Sequence, residues 1–487
     1  MRVVEEREDK FKVAKGWALP ELVRFVPPGG RVREAVQQLD SRYFDTADGA
    51  LRSLGITLRR RKDDGEVGWQ LKVPNGSARH ELQSRSQSES IPRSLADALA
   101  GLRDDQELAP VADIATMRRA HRVEDESGGL LFEIADDEVS ATTPGQETTP
   151  HGWREVEVEL GPAGSKKILK RVRQWLQKAG AKLDTGGTKL DHALALAADP
   201  APGRATVERS TELPGKPGTL GALVAGYLAA QCDVIAVNDI GLRTGAPLVH
   251  ATRVAVRRLR STLRVFDDLI GADASAALEP ELVWYAELLG KVRDCDILEK
   301  RLADRLAELP AEQVLGPVAG QIQRVLSVER KEASDRLAEG MASERYRNLL
   351  GSLRTWHTAP PLTAAAGANL GKAAGYVRTA RRKAEKRLAN AGDDVEQFHR
   401  ARKAMKRLRY AAEISDHAVP KAGKIARRAK RLQTLLGDHQ DAVVAAQFLA
   451  RMGATAGVQP GHNGFTYGVL MATELDHAAG IRAKFAS

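Results

Sequence analysis

The stretch Arg154-Glu155-Val156-Glu157-Val158-Glu159-Leu160 constrains this chain more than any other. Strict period-two alternation is the signature of a half-buried β-strand and does not fit a helix. Glu155, Glu157 and Glu159 share one face; Val156, Val158 and Leu160 share the other. Three like charges aligned on one strand face repel unless a cation, or neighbouring Arg and Lys side chains, neutralise them. The strand therefore calls for an apolar layer behind it and a cationic environment in front.

The same pattern stands at the N-terminus in Glu6-Arg7-Glu8-Asp9-Lys10. Glu6, Glu8 and Lys10 fall on one face; Arg7, Asp9 and Phe11 fall on the other. Such a face suits a polar cavity where carboxylates hold a divalent cation and a lysine meets an anion. On that reading Arg7 and Asp9 face away and tolerate substitution. A hairpin follows, with strands Gly55–Arg61 and Val67–Val73 around the turn Asp63-Asp64-Gly65-Glu66. Thr57, Arg59 and Arg61 oppose Ile56 and Leu58 on the first strand, and Gln70 and Lys72 oppose Trp69, Leu71 and Val73 on the second. Paired strands at Ile114–Val123 and Leu130–Val139 carry Arg118 and Arg119 against Glu133, Asp136 and Asp137. A Thr/Pro/Gly loop at 140–152, a helix over about 163–180 and the pair Thr188-Lys189 complete this half. An antiparallel barrel or tunnel accounts for the pattern: ionic lumen, apolar outer face, helices outside.

The ordered set Glu6-x-Glu8-x-Lys10, Tyr43-Phe-Asp-Thr46, Leu58-Arg59-x-Arg61, Gln70-Leu71-Lys72, Arg79-x-Glu81, Arg118, Glu155-x-Glu157-x-Glu159 and Thr188-Lys189 resembles the CYTH domain of the triphosphate tunnel metalloenzymes. The resemblance implies an eight-stranded tunnel that binds triphosphate-containing substrates with Mg²⁺ or Mn²⁺. It implies metal ligation by Glu6, Glu8, Glu157 and Glu159, with Glu155 and Asp136 as further candidates. It implies phosphate binding by Lys10, Arg59, Arg61, Lys72, Arg118 and Lys189. Family members hydrolyse inorganic triphosphate, thiamine triphosphate or RNA 5′-triphosphates, or cyclise ATP.

Residues 198–217 are rich in Pro, Gly, Ser and Thr and read as a linker between a domain at 1–197 and one at 218–487. The second domain is helical by its apolar spacing. Its informative piece is His250-x-x-Arg253-x-x-x-Arg257-Arg258-x-Arg260, in which His250, Arg253, Arg257 and Arg260 lie in one narrow arc beside an apolar stripe. The set returns as His399, Arg402, Lys406 and Arg409 at a constant offset, and each copy precedes a Leu-Leu-Gly helix. This marks an internal duplication with halves at about 218–360 and 361–487. Neither arc shows acidic partners at the next helical turn, so each reads as an exposed ladder of cations. This half resembles the CHAD domain, the conserved-histidine α-helical domain. That resemblance implies that those eight residues bind inorganic polyphosphate, with association to polyphosphate granules.

The charge distribution agrees. Residues 218–487 carry 40 Lys+Arg against 29 Asp+Glu, whereas residues 1–217 are nearly neutral. The basic half should meet a polyanion. With 22 aromatic residues in 487, base-stacking platforms are sparse, which argues against nucleic acid as that polyanion. Apolar runs read as too short to span a bilayer, and the charged N-terminus is unlike a signal peptide, so a cytoplasmic protein with no membrane partner is expected. Cys232 and Cys295 read as small apolar helix residues.

The expected fold class is α+β and multi-domain: an antiparallel eight-stranded β tunnel with outer helices, then an all-α bundle with an internal duplication. The expected function is metal-dependent hydrolysis of tripolyphosphate, with polyphosphate binding by the second half. Open alternatives are nucleoside or thiamine triphosphate turnover in the same tunnel, including cyclisation, or a non-catalytic polyphosphate-binding protein.

Overall fold

The computed structural model describes residues 2–14, 16–63, 66–75, 78–103, 106–144, 151–184, 187–196, 216–391, 394–456 and 463–486. The chain divides into two compact units, Met1–Thr211 and Glu212–Ser487. The boundary falls within the expected linker, whose residues up to 215 lie outside the described ones.

The first unit is built on β1 (Arg2–Glu6), β2 (Glu8–Lys12), β3 (Arg31–Asp45), β4 (Thr57–Asp63), β5 (Glu66–Asn75), β6 (Ala78–Ser84), β7 (Ala109–Glu124), β8 (Leu130–Thr142), β9 (His151–Leu160) and β10 (Lys182–Leu183). They form one antiparallel sheet in the order β1-β6-β5-β4-β3-β7-β8-β9-β2-β10. β1 and β2 are one N-terminal segment interrupted at Arg7, whose carbonyl accepts from the Leu160 N–H. The first part of that segment pairs with β6 and the second with β9, so it joins the two ends of the sheet into a closed tunnel. With this segment counted once and the two-residue β10 set aside, the tunnel is eight-stranded, as the resemblance implies.

The apolar halves of the strands do what their pattern requires. Phe11, Phe132, Ile134, Val156 and Val158 are buried against Leu169, Val172 and Leu176 of the helix Lys166–Lys178. Ser165 caps that helix by accepting from the Ile168 N–H. Elsewhere Tyr43, Ile114 and Val139 pack against Leu190 and Ala193 of the helix Lys189–Leu196.

The second unit is helical, with the ladder helices Val249–Val265 and Val395–Ile414 packed against each other. Each precedes a long helix, Ala272–Glu308 and Ala422–Ala456 respectively. One core joins Ala272–Glu308 and Val318–Ala342 to Ala422–Ala456 and Phe465–Ala486 through Leu302, Leu326, Phe448 and Leu470. The helix Leu220–Arg243 corrects the reading of apolar runs: at 24 residues and mean hydropathy 1.7 it is long and apolar enough to cross a membrane by length and composition. Half of its apolar window is buried inside this unit, with Val224, Leu228 and Ile235 in the core. Cys232 is buried in the same core, and Cys295 is half-buried.

Candidate functional site

Strand parity carries the ionic residues into the tunnel. Glu8 lies opposite Glu159, and Lys10 opposite Glu157, across β2 and β9. Asp137 lies between Arg118 on β7 and Glu155 on β9. Arg59 sits between Tyr43 and Gln70, and Lys72 between Thr57 and Glu81. The resulting cavity holds about 210 Å³, and almost all of its lining is polar. Lys10, Arg59, Arg61, Lys72, Arg118 and Lys189 all line it, together with Glu8, Glu157 and Glu159.

One wall is a carboxylate cluster threaded by cations. Glu8, Glu157 and Glu159 each offer an oxygen within 4.8 Å of the others, and so do Asp137, Glu155 and Glu157. Lys10 Nζ lies 2.7 Å from Glu157. Arg118 binds Asp137 bidentately at 2.8 and 2.7 Å and reaches Glu157 at 2.9 Å. Lys189 Nζ lies 2.7 Å from Glu155, 2.9 Å from Glu157 and 3.0 Å from Asp137. Burial alone would raise the Glu157 carboxyl, but Lys10, Lys189 and Arg118 hold it well below the carboxylate range. Burial likewise works against the Lys10 and Lys189 ammoniums, yet the facing carboxylates raise both.

The opposite wall carries Arg59, Arg61 and Lys72, with Glu81 beside them. Arg59 donates to Gln70 at 2.7 Å and to the Tyr43 hydroxyl at 3.0 Å. Arg61 has the Ser41 hydroxyl at 3.4 Å. Burial and then the neighbouring Arg59 and Arg118 push the Arg61 guanidinium down to about 10. Lys72 approaches Glu81 at 3.8 Å, and Arg79 approaches Glu8 at 3.5 Å.

Two local motifs hold these groups. Thr188 and Asp191 cap the helix Lys189–Leu196 reciprocally: the Thr188 N–H donates to Asp191 at 2.7 Å, and the Asp191 N–H donates to the Thr188 hydroxyl at 3.1 Å. This fixes Lys189 at the first helical position, pointing into the lumen. Asp45, buried at the end of β3, accepts from the N–H groups of Thr46, Leu51 and Arg52 and anchors the turn that follows Tyr43.

Two expectations change, and a third falls outside the described residues. Asp136 is not among the lumen carboxylates: it lies opposite Val156 on the outer face, where it pairs bidentately with Arg154 at 2.8 and 2.7 Å. Its neighbour Asp137, fully buried, takes the inner place, because adjacent strand residues point to opposite faces. Asp9 does face away from the lumen, but it is buried and bound bidentately by Arg173 at 2.8 and 2.6 Å, so it is not a free outer position. Glu6 belongs to β1, opposite Arg79, and its side chain lies outside the described residues. Sequence reasoning assigned no role to Asp137, Tyr43, Gln70, Arg79 or Glu81. Parity with Glu155 and Arg118 was the signal available for Asp137.

In the second unit the two ladders meet. Arg257 Nε donates to the Tyr410 hydroxyl at 2.7 Å, linking the first ladder helix to the second. Lys406 is surrounded by Arg402, Arg257 and Arg253, and burial together with those cations pushes its ammonium down to about 6. Arg402 Nε is buried with no hydrogen-bond partner among the described residues. His250 and His399 are both lowered, by burial first and then by adjacent cations. In each copy the first ladder arginine crosses the Leu-Leu-Gly glycine of the next helix, Arg253 over Gly290 and Arg402 over Gly437. Arg253 also meets Asp294 at 3.0 Å. Arg260 stands apart from this group, beside Arg264 and Arg407. Arg409 corrects the expectation of ladders without acidic partners: it pairs with Glu413 one turn on, at 2.7 Å.

The first unit is thus a closed β tunnel of opposed carboxylates and guanidiniums, and the second a helical duplication that gathers cations. Residues 6–192 match the CYTH domain family and residues 226–450 match the CHAD domain family. The chain is 32% identical over 507 residues to the uncharacterised protein Rv2226 of Mycobacterium tuberculosis, covering 98% of this chain and 94% of that one. This protein belongs to the CYTH–CHAD family of two-domain triphosphate tunnel proteins. Among solved structures it is similar to PptA from Streptomyces chartreusis, at 23% identity and TM-score 0.47, over 55% of this chain and 97% of that one. It is also similar to the CHAD domain from the plant Ricinus communis, at 26% identity and TM-score 0.44, over 59% of this chain and 98% of that one. CYTH tunnel enzymes act on triphosphate substrates and depend on metal. The donor set here fits a hard divalent cation: oxygens of Glu8, Glu157 and Glu159 converge within 4.8 Å of one another, as do those of Asp137, Glu155 and Glu157.

Proposed function

We propose that this protein is a metal-dependent inorganic triphosphatase whose helical unit binds inorganic polyphosphate in the cytoplasm, at polyphosphate granules. The observation that carries the reading is one cavity lined both by a carboxylate cluster and by Lys10, Arg59, Arg61, Lys72, Arg118 and Lys189. Arg59, Arg61, Lys72 and Arg118 suit the oxygens of a short phosphate chain, each phosphoryl group being bound by planar or point-charge donors. Glu8, Glu157 and Glu159 would hold Mg²⁺ or Mn²⁺, with Asp137 and Glu155 behind them. The metal, when bound, supplies charge neutralisation at the phosphate oxygens and orientation of the attacked phosphorus. Lys10 and Lys189, which neutralise Glu157 here, line the same cavity and would also meet phosphate oxygens. Positioning and electrostatics then lower the barrier to attack by water on a terminal phosphorus. The linked helical unit would keep polyphosphate at high local concentration near the tunnel.

The test is turnover of tripolyphosphate, long-chain polyphosphate, ATP and thiamine triphosphate with Mg²⁺, Mn²⁺ or EDTA, reading phosphate and cyclic nucleotide. Tripolyphosphate should be hydrolysed only with metal. Glu8→Ala and Arg59→Ala should each reduce the rate by about 10²–10³-fold while polyphosphate binding stays intact. Absence of metal-dependent turnover on every substrate sinks the enzymatic reading. Cyclic nucleotide from ATP would replace hydrolysis with cyclisation.

A further inference from the structure

A cavity of about 1390 Å³ in the second unit involves none of the eight ladder residues. It lies where the end of the helix Val249–Val265 meets the helices Ala373–Ala389 and Val395–Ile414. Cations crowd one side: Arg264, Arg378, Lys383, Arg387, Lys403 and Arg407. Arg264 is paired with Glu279, but the other five make no ion pair or hydrogen bond among the described residues. Like-charged groups held together without counter-ions in a concave site mark a place for a multiply charged anion.

The other side has a different chemistry. Leu220, Val265, Ala365 and Ala368 give it an apolar wall, with the face of Tyr376 beside them. Tyr376 is held rigidly: its hydroxyl donates to Asp268 at 2.6 Å, and its ring packs on Phe266 at 4.7 Å. Asp267 and Asp268 also line the cleft, and both are exposed. Carboxylates and an apolar wall are a poor surround for a bare phosphate chain. They suit a ligand whose other end carries a flat ring and hydroxyl or amino donors, since carboxylates accept from ribose hydroxyls in nucleotide sites.

The cationic helix of the cleft has no counterpart in the first repeat. The helix Ala373–Ala389 carries six Lys or Arg against one Glu, whereas the helix that precedes the first ladder, Leu220–Arg243, has Arg243 as its single cation. The cationic helix therefore belongs to the second repeat, while Leu220, Arg264, Val265, Asp267 and Asp268 of the first repeat complete the cleft.

We propose that this asymmetric cleft binds a nucleoside polyphosphate, with its phosphates on Arg378, Lys383, Arg387 and Arg407, its base against Tyr376 and the alanine wall, and its ribose or amino groups on Asp267 and Asp268. The site is separate from the tunnel and does not depend on the triphosphatase reading. It gives the helical unit a ligand of different chemistry from inorganic polyphosphate.

The test uses the full chain in EDTA, so that metal-dependent turnover does not consume the probe. Irradiation with 8-azido-ATP followed by peptide mapping should label the segment around Tyr376, in the parent protein and in Arg59→Ala alike. Arg378→Ala with Lys383→Ala and Arg387→Ala, all exposed positions, should weaken ATP binding at least tenfold. Lys383→Glu alone should weaken it in the same direction. Unlabelled ATP should displace the label at lower concentration than tripolyphosphate, and Asp267→Asn should narrow that gap. Labelling confined to residues 1–196, unchanged ATP affinity in the triple variant, or equal displacement by tripolyphosphate would each overturn the proposal.

Discussion

Lys189 is the residue on which the tunnel's charge balance turns. Its ammonium is the shared counter-ion of Asp137, Glu155 and Glu157, each within 3.0 Å. Breaking a buried ion pair from one side strands the other charge. Lys189→Met should therefore destabilise the first unit by about 3–5 kcal/mol, read by urea unfolding, and Mn²⁺ should restore part of the loss. No change in stability would mean that water reaches the cluster freely. Titration gives a second check. The Glu157 carboxyl is depressed on folding, so its contribution is full above the ordinary value of 4.5 and is lost as pH falls through the folded value. The Lys10 ammonium is raised, so its contribution is full below 10.5 and is lost as pH climbs through its folded value. The urea midpoint of the first unit should accordingly hold level between those limits and fall outside them. Asp9 makes a smaller, contrasting case. Asp9→Ala removes the Arg173 partner on the outer face and should cost about 1–3 kcal/mol while leaving turnover per folded molecule unchanged.

At the scale of elements, parity and pitch decide what each side chain meets. The Glu-Val-Glu-Val-Glu strand could be placed from its alternation, because one residue of slip would bury three carboxylates in the helix-covered core. β8 could not be read so easily. Asp136 and Asp137 are adjacent acids, and nothing in the local sequence says which faces inward; the register with Arg118 and Glu155 settles it. On the ladder helices, pitch places Arg402 and Lys406 on one side, but the cations that crowd them, Arg253 and Arg257, come from the facing helix. This has a measurable consequence. Burial, Arg402, Arg257 and Arg253 lower Lys406, with Asp441 opposing. Near pH 7.5 that lysine is mostly neutral in the free protein, and a polyanion that neutralises its neighbours raises it again. Polyphosphate binding near pH 7.5 should take up close to one proton, and affinity should fall as pH rises. Calorimetry in two buffers of different ionisation heat measures the uptake. An uptake that persists in Lys406→Met would assign it to another group.

The whole molecule is two units, each with its own core, and the described residues stop at Leu196 and resume at Lys216. Separate chains of 1–197 and 216–487 should each unfold cooperatively, with turnover in the first and polyphosphate affinity in the second. Failure of either piece to fold would show that the division by composition and contacts is not a division of stability. Much of this architecture was legible in the sequence, since the tunnel's alternating strands, the linker composition and the repeated His-Arg ladder are all local or periodic signals. The sequence by itself determined which residue types would be hidden together, because alternation and helical pitch sort side chains onto faces wherever the chain goes. Only the tertiary structure decided which charges became partners. It put Asp137 rather than Asp136 against Lys189, set Arg61 beside Arg59 and Arg118, and tied Arg409 to Glu413. Those outcomes depend on strand register and on helices far apart in sequence, and electrostatic energy depends on distances that a linear pattern does not carry.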